Sequence, residues 1–384
     1  MIIACTLTAS CTRIAPKLLE DEATTGATAT KSKIPTTAQR VYGQLGSFTS
    51  GAVNNGGITA NSLKNPTGVA VDSTGVYIAD NQNYRVLFYS TTSTTATRVY
   101  GQGGSFTTAV SNNGGPSSTS ILSSIGIGLD SGGVYISDFG NRVLYYSGTS
   151  TTGTRVYGHF GAFNCMIAND NAACAAGTPS ASTLTSSNGV ATDGSGVYIA
   201  DYNNHRVLYF TGTNIVAARA YGQGGSTLAN TSNNGGISAD SLSSPYYIAI
   251  DSGGIYIADY GNNRVLYYSG TSTTATRVYG QGGSFTTNTA NKGGLSADSL
   301  SGPGGVYLDS TGVYVADTTN NRILFYPGTS TTASTVWGQN GSFTTNTANN
   351  GGLSASSLSG PTSVFIYNGN MFIADYNNHR VLMY

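Results

Sequence analysis

A short phrase, an aromatic residue followed by glycine, returns six times at near-constant spacing and dominates any reading of this chain. It first appears as Val41-Tyr42-Gly43-Gln44, and its aromatic recurs as Tyr100, Tyr157, Tyr221, Tyr279 and Trp337, in steps of 58, 57, 64, 58 and 58 residues. A fixed period of this length means that one structural unit is repeated, and that each copy buries its apolar faces against its neighbours.

Three further runs lie in every period. In the first copy they are Gly68-Val69-Ala70-Val71-Asp72, Val76-Tyr77-Ile78-Ala79-Asp80 and Arg85-Val86-Leu87-Phe88-Tyr89, ahead of Arg98-Val99-Tyr100-Gly101. Each is short, β-branched or aromatic, and bounded by Gly, Asn, Asp, Ser or Thr, which predicts four strands per period. The 52 glycines and a hydrophobic content of 39% fit many short strands and turns rather than helices. The last copy stops after three strands, at 363–367, 371–375 and 380–384, and the missing fourth lies at the other end of the chain, at 39–43. Joining the two ends leaves no open sheet edge. The expected fold is therefore all-β: a six-bladed β-propeller with four-stranded blades, its ring closed by the N-terminal strand completing the last blade.

The phrase Ala200-Asp201-Tyr202-Asn203-Asn204-His205-Arg206-Val207-Leu208 resembles the Asp-x-x-Asn-His-Arg-Val core of NHL repeats, and variants of it recur in all six blades. The resemblance implies the propeller fold. It leaves function open, since the family includes binding modules, sensor domains and a metal-dependent lyase.

Most charges belong to the repeat itself. Asp80, Asp138, Asp201, Asp259, Asp317 and Asp375 end the second strands, and Arg85, Arg142, Arg206, Arg264, Arg322 and Arg380 open the third. A pair present in every blade cannot mark one active site; its expected role is to hold turns and carbonyls in place. With 17 basic and 17 acidic residues there is no broad basic field, so nucleic acid is not an expected partner. His205 and His379 fall in matching turns of blades 3 and 6, where other blades carry Tyr84, Asn141, Asn263 and Asn321, while His159 stands where other copies have Gln. Histidines so far apart do not predict a zinc site, and the two cysteines have no matching histidine in the sequence pattern. Nor does a nucleophile elbow appear. No catalytic residue, metal or cofactor is expected.

Specific function belongs where the copies diverge. Tyr246-Tyr247 replaces pairs such as Thr67-Gly68 and Gly304-Gly305, and the residue after the turn Asp is aromatic in four blades: Phe139, Tyr202, Tyr260 and Tyr376. These six aromatics, with His205 and His379, form the expected ligand-binding set on the top face, the face of the turns between second and third strands. Tyrosine combines apolar area with a polar tip, which suits a protein or glycan partner. The competing reading packs the same rings on the neighbouring links. An enzyme of the lyase or lactonase kind is the alternative function.

The third link, residues 158–187, is longer than its counterparts and contains Cys165 and Cys174. A disulfide closing this loop is expected, and with it an extracytoplasmic setting; free buried thiols are the alternative. Residues 1–37 read as a leader or flexible tether and 38–384 as the propeller, expected to act as a monomer. The start, Met1 to Cys11, resembles the tail of a lipoprotein signal with Cys11 or Cys5 as the lipid-bearing position, but lacks a basic n-region. A truncated signal and no signal at all both remain open, so any membrane contact is expected only through such an anchor.

Overall fold

The computed structural model describes residues 32–384; the leader reading of residues 1–31, including Cys5 and Cys11, lies outside them. Six sheets of four antiparallel strands form the ring. Blade 1 comprises Pro66–Val71, Gly75–Asp80, Arg85–Ser90 and Arg98–Tyr100, and the pattern repeats through blade 5, which ends at Thr335–Trp337. In blade 6, Pro361–Tyr367, Asn370–Asp375 and Arg380–Met383 are completed by Arg40–Tyr42, with Arg40 opposite Met383 and Tyr42 opposite Val381. The expected closure is observed. Among the described residues, no helix is long and apolar enough to cross a membrane.

Two repeated devices hold the ring. Across five of the six blade junctions a fourth-strand aromatic meets a third-strand aromatic of the next blade edge to face, as in Tyr42 on Tyr89 at 5.1 Å and Tyr100 on Tyr146 at 5.0 Å. Over each blade the long link folds back and buries one aliphatic side chain, Leu63, Ile121, Leu184, Leu242, Leu300 or Leu358. The Asp–Arg pairs fasten those links. Arg85 Nε donates to Asp80 at 2.7 Å, its other nitrogens donate to the carbonyls of Thr59, Ser62 and Phe106, and Asp80 accepts from the Lys64 amide. One guanidinium thus ties its own link and the next one to the same turn. All six pairs are fully buried, with nitrogen–oxygen distances of 2.7–2.9 Å.

The packed region begins before Ala38, the expected boundary. Ile34 is buried in the apolar cluster of blades 5 and 6, and Trp337 Nε1 donates to the Pro35 carbonyl. Blade 5 accommodates this segment because Thr335 occupies the position of Arg40, Arg98, Arg155, Arg219 and Arg277. In blades 1 to 4 the arginine lies over a third-strand ring, as Arg98 does over Phe88 at 4.6 Å, whereas Arg40 stands opposite Met383.

Every first strand carries a bulge near its top end, between Pro66 and Gly68 in blade 1 and between Pro245 and Ile248 in blade 4. A bulge re-aims the residues inside it. Here it turns Thr67, Ile125, Tyr246, Gly304 and Thr362 toward the top mouth of the central channel.

Candidate functional site

The top mouth holds a cavity of about 470 Å³, within the usual range for small-ligand sites. Phe139, Tyr246, Tyr260 and Tyr376 form its aromatic wall. Between them stand Thr67, Asn81, Ser123, Thr318, Thr362 and Asn377, and no charged side chain or histidine lines it. Its polar groups are set by ties between blades. Thr67 Oγ1 donates to Ser124 O of blade 2, Thr362 Oγ1 to Thr67 O of blade 1, and Thr318 Oγ1 to Pro361 O of blade 6, at 2.9, 3.0 and 2.7 Å. Asn81 Nδ2 donates to Ser124 O at 2.9 Å. These bonds use the donors, with Asn377 Nδ2 donating to Ser359 Oγ at 3.3 Å, and the Asn81 and Asn377 carbonyl oxygens have no protein partner among the described residues. The hydroxyls of Tyr246 and Tyr376 have no protein partner among the described residues.

The tyrosines around Tyr246 act as one cluster. Its ring meets Tyr202 edge to face at 5.9 Å, lies 5.6 Å from Tyr260, and stacks on Tyr247 at 6.2 Å. Burial pushes the Tyr246 and Tyr247 phenols well above the usual tyrosine value, reinforced at Tyr246 by the surrounding phenols, so both stay protonated hydrogen-bond donors.

Of the eight residues expected on the top face, four line the cavity: Phe139, Tyr246, Tyr260 and Tyr376. Tyr202 stands behind Tyr246 as its support. Tyr247 faces the other way. Its buried ring crosses the channel, its hydroxyl donates weakly to Ile125 O at 3.4 Å, and it borders a second cavity below. Gly68 and Gly189 make room for it, since a Cβ on Gly68 would lie 2.5 Å from the Tyr247 hydroxyl and one on Gly189 2.7 Å from Tyr247 Cα. Tyr247 is therefore a plug rather than part of the upper site.

His205 and His379 do not line the cavity. His205 Nδ1 accepts the Ser244 amide at 3.0 Å and His379 Nδ1 the Asn65 amide at 3.1 Å. Asn263 and Asn321 do the same work in other blades, accepting the Gly302 and Gly360 amides at 2.8 Å. The imidazole nitrogen replaces the amide oxygen as a tie to the next blade. Thr67, Asn81, Ser123, Thr318, Thr362 and Asn377 were not singled out from sequence, because Ser, Thr and Asn fill every link and only the bulges and the turns after the second strands bring these six to the mouth.

The lower cavity, about 530 Å³, is walled mainly by aliphatic first-strand residues with Tyr307 and Phe365. Asp72 and Asp130 at its rim hold their own turns, Asp72 Oδ1 accepting from the Thr74 and Gly75 amides at 2.7 and 3.0 Å.

In the third link Cys165 and Cys174 form the expected disulfide. The expectation that no histidine accompanies them is corrected by the fold, which brings His159 and Asp170 beside Cys165.

No family model matches the chain, and no curated protein matches it. Solved structures with similar folds include a structural genomics protein of unknown function from Bacteroides thetaiotaomicron VPI-5482, 15% identical over 90% of this chain and 76% of that one, with a TM-score of 0.54. A nidogen/laminin complex (16% identity, 72% and 81% covered, TM-score 0.43) and a streptogramin B lyase (13%, 84% and 83%, TM-score 0.45) are more distant in fold. At these identities the first likeness concerns the propeller fold alone.

Proposed function

We propose that the protein is a non-catalytic binding propeller whose top cavity takes a sugar residue of a glycan. The observation that carries this reading is the uncharged cavity walled by Phe139, Tyr246, Tyr260 and Tyr376 and edged by free hydroxyl and amide groups. The C–H faces of a pyranose pack on aromatic rings, and its hydroxyls exchange hydrogen bonds with neutral donors and acceptors. Ties between blades fix the polar groups before the ligand arrives, which lowers the ordering cost of binding. The disulfide supports an extracytoplasmic setting, where glycans are abundant. The turn phrase at 200–208 and its five counterparts support reading the repeats as of the NHL type.

The test is a glycan array followed by calorimetry on the full chain and on the Tyr260→Ala and Tyr376→Ala variants. A hit weakened about tenfold or more by either change, as expected for an aromatic anchor, supports the site. Unaltered affinity in both folded variants places binding elsewhere.

A further inference from the structure

His159 occupies the place of Gln44, Gln102, Gln223, Gln281 and Gln339. Those glutamines tie the link to the turn. Gln102 Nε2 donates to Tyr84 O and Val110 O at 3.0 and 2.8 Å, and its Oε1 accepts the Val110 amide at 3.0 Å. His159 keeps one turn contact, with Nε2 donating to Gly140 O at 3.1 Å, one residue before Asn141, the counterpart of Tyr84. Its Nδ1 faces Asp170 Oδ1 at 3.0 Å instead. A glutamine would have satisfied the repeat without burying a carboxylate, so the repeat's architecture does not account for the His–Asp pair. A carbonyl and a carboxylate are both acceptors, so Nε2 carries a proton and a second proton lies between Nδ1 and Asp170.

Cys165 completes the cluster. His159, Cys165 and Asp170 are all buried, their ligand-type atoms lie within 4.8 Å of one another, and Cys165 Sγ is 3.3 Å from Asp170 Oδ2. Cys174 is joined to Cys165 by the disulfide. Around a tetrahedral zinc ion, neighbouring ligand atoms are roughly 3.3 to 3.6 Å apart, as metal–ligand lengths near 2.0 Å for N or O and 2.3 Å for S require. The His159–Asp170 and Cys165–Asp170 spacings are within a few tenths of an ångström of that.

We propose that this cluster is a redox-gated metal site for a divalent cation of zinc's kind. In the oxidised chain both sulfurs belong to a neutral disulfide, a far weaker donor than a thiolate, and the site is closed. Two electrons and two protons from an external dithiol break that bond and give two thiols. Binding of the cation then displaces the thiol protons and the proton between His159 and Asp170, leaving Cys165 Sγ, Cys174 Sγ, His159 Nδ1 and an Asp170 oxygen as ligands. Gly140 O keeps the Nε2 proton, the outer contact that orients metal-bound imidazoles. Mixed thiolate, imidazole and carboxylate donors favour zinc over calcium or magnesium.

The test is titration of the full chain with Co²⁺, before and after reduction by a phosphine, followed by Zn²⁺ competition against a chromophoric chelator. The expected result is uptake of about one equivalent by the reduced chain only, with thiolate-to-cobalt charge-transfer bands. His159→Gln restores the residue of the other blades and should fold as the parent does by circular dichroism; it and Asp170→Asn should each weaken zinc binding by about tenfold or more. No uptake by the reduced, folded chain overturns the proposal. So does uptake that His159→Gln leaves unchanged, which would mean that the two thiols alone capture the ion.

Discussion

Trp337 Nε1 donates a 2.8 Å hydrogen bond to the carbonyl oxygen of Pro35, 302 positions away in the sequence. Beside them the Ser32 amide donates to Thr335 Oγ1 at 3.3 Å, and Ile34 is buried against Tyr314 and Trp337. Blade 5 is the only blade without the fourth-strand arginine, and its groove holds residues 32–37 in that space. Thr335→Arg, which restores the repeat, should set the new side chain over Phe325 and displace the segment. The expected cost is about 1 to 3 kcal/mol, the value of one buried aliphatic side chain and its neighbours, read from denaturant unfolding together with faster proteolysis before Ala38. Unchanged stability and cleavage would show that the segment contributes nothing.

Tyr247 should be worth more than its place in one blade suggests. Tyr247→Gly, the residue of four other blades at this level, joins the upper and lower cavities and leaves a void that the close-packed first strands cannot collapse to fill. A loss of about 3 to 5 kcal/mol is expected, whereas Tyr247→Phe, which gives up only the long bond to Ile125 O, should cost under about 1 kcal/mol. Similar midpoints for the two variants in urea would contradict the plug.

The two sets of arginines should behave differently although both belong to the repeat. Arg264→Ala strands the buried carboxylate of Asp259 and frees the carbonyls of Ser238, Ser241 and Phe285, for an expected loss of about 3 to 5 kcal/mol. Arg277→Ala removes a partly exposed guanidinium over the Tyr267 ring and should cost about 1 kcal/mol or less. Paired thermal and denaturant unfolding of both variants measures the contrast directly.

Acidification should weaken the ring through His205 and His379. Burial holds both below the usual histidine value of 6.5, with Lys64 adding repulsion at His379. The native state thus binds fewer protons than the unfolded chain, and stability rises with pH in this window. The contribution is complete above the unfolded value of 6.5 and is lost as pH falls through the lower native value, when Nδ1 is protonated and can no longer accept the Ser244 or Asn65 amide. His205→Asn/His379→Asn, carrying the residue of other blades, should flatten the stability profile just below pH 6.5. A profile identical to the parent's would assign the acid sensitivity to other groups.

The period of the aromatic-Gly phrase, the four short strand patterns in each copy and the fourth strand displaced to residues 39–43 were enough to determine the propeller, its blade number and its closure. Strand alternation and turn chemistry are local, and a repeated unit has few ways to bury its faces. The turn-holding role of the Asp–Arg pairs was legible for the same reason, although their complete burial was not. What the cavity contains was not. Tyr246 and Tyr247 are adjacent in sequence, and only the bulge and the glycine-lined channel send one to the upper site and the other across the axis. His205 and His379 were expected in the ligand-binding set of the top face; their place opposite a backbone amide of the next blade makes them ties. His159, Cys165 and Asp170 meet only because the third link folds back over its turn. These differences have one physical cause: sequence periodicity fixes which face of a strand is buried, while the direction of a side chain inside a bulge or long link depends on contacts from other blades.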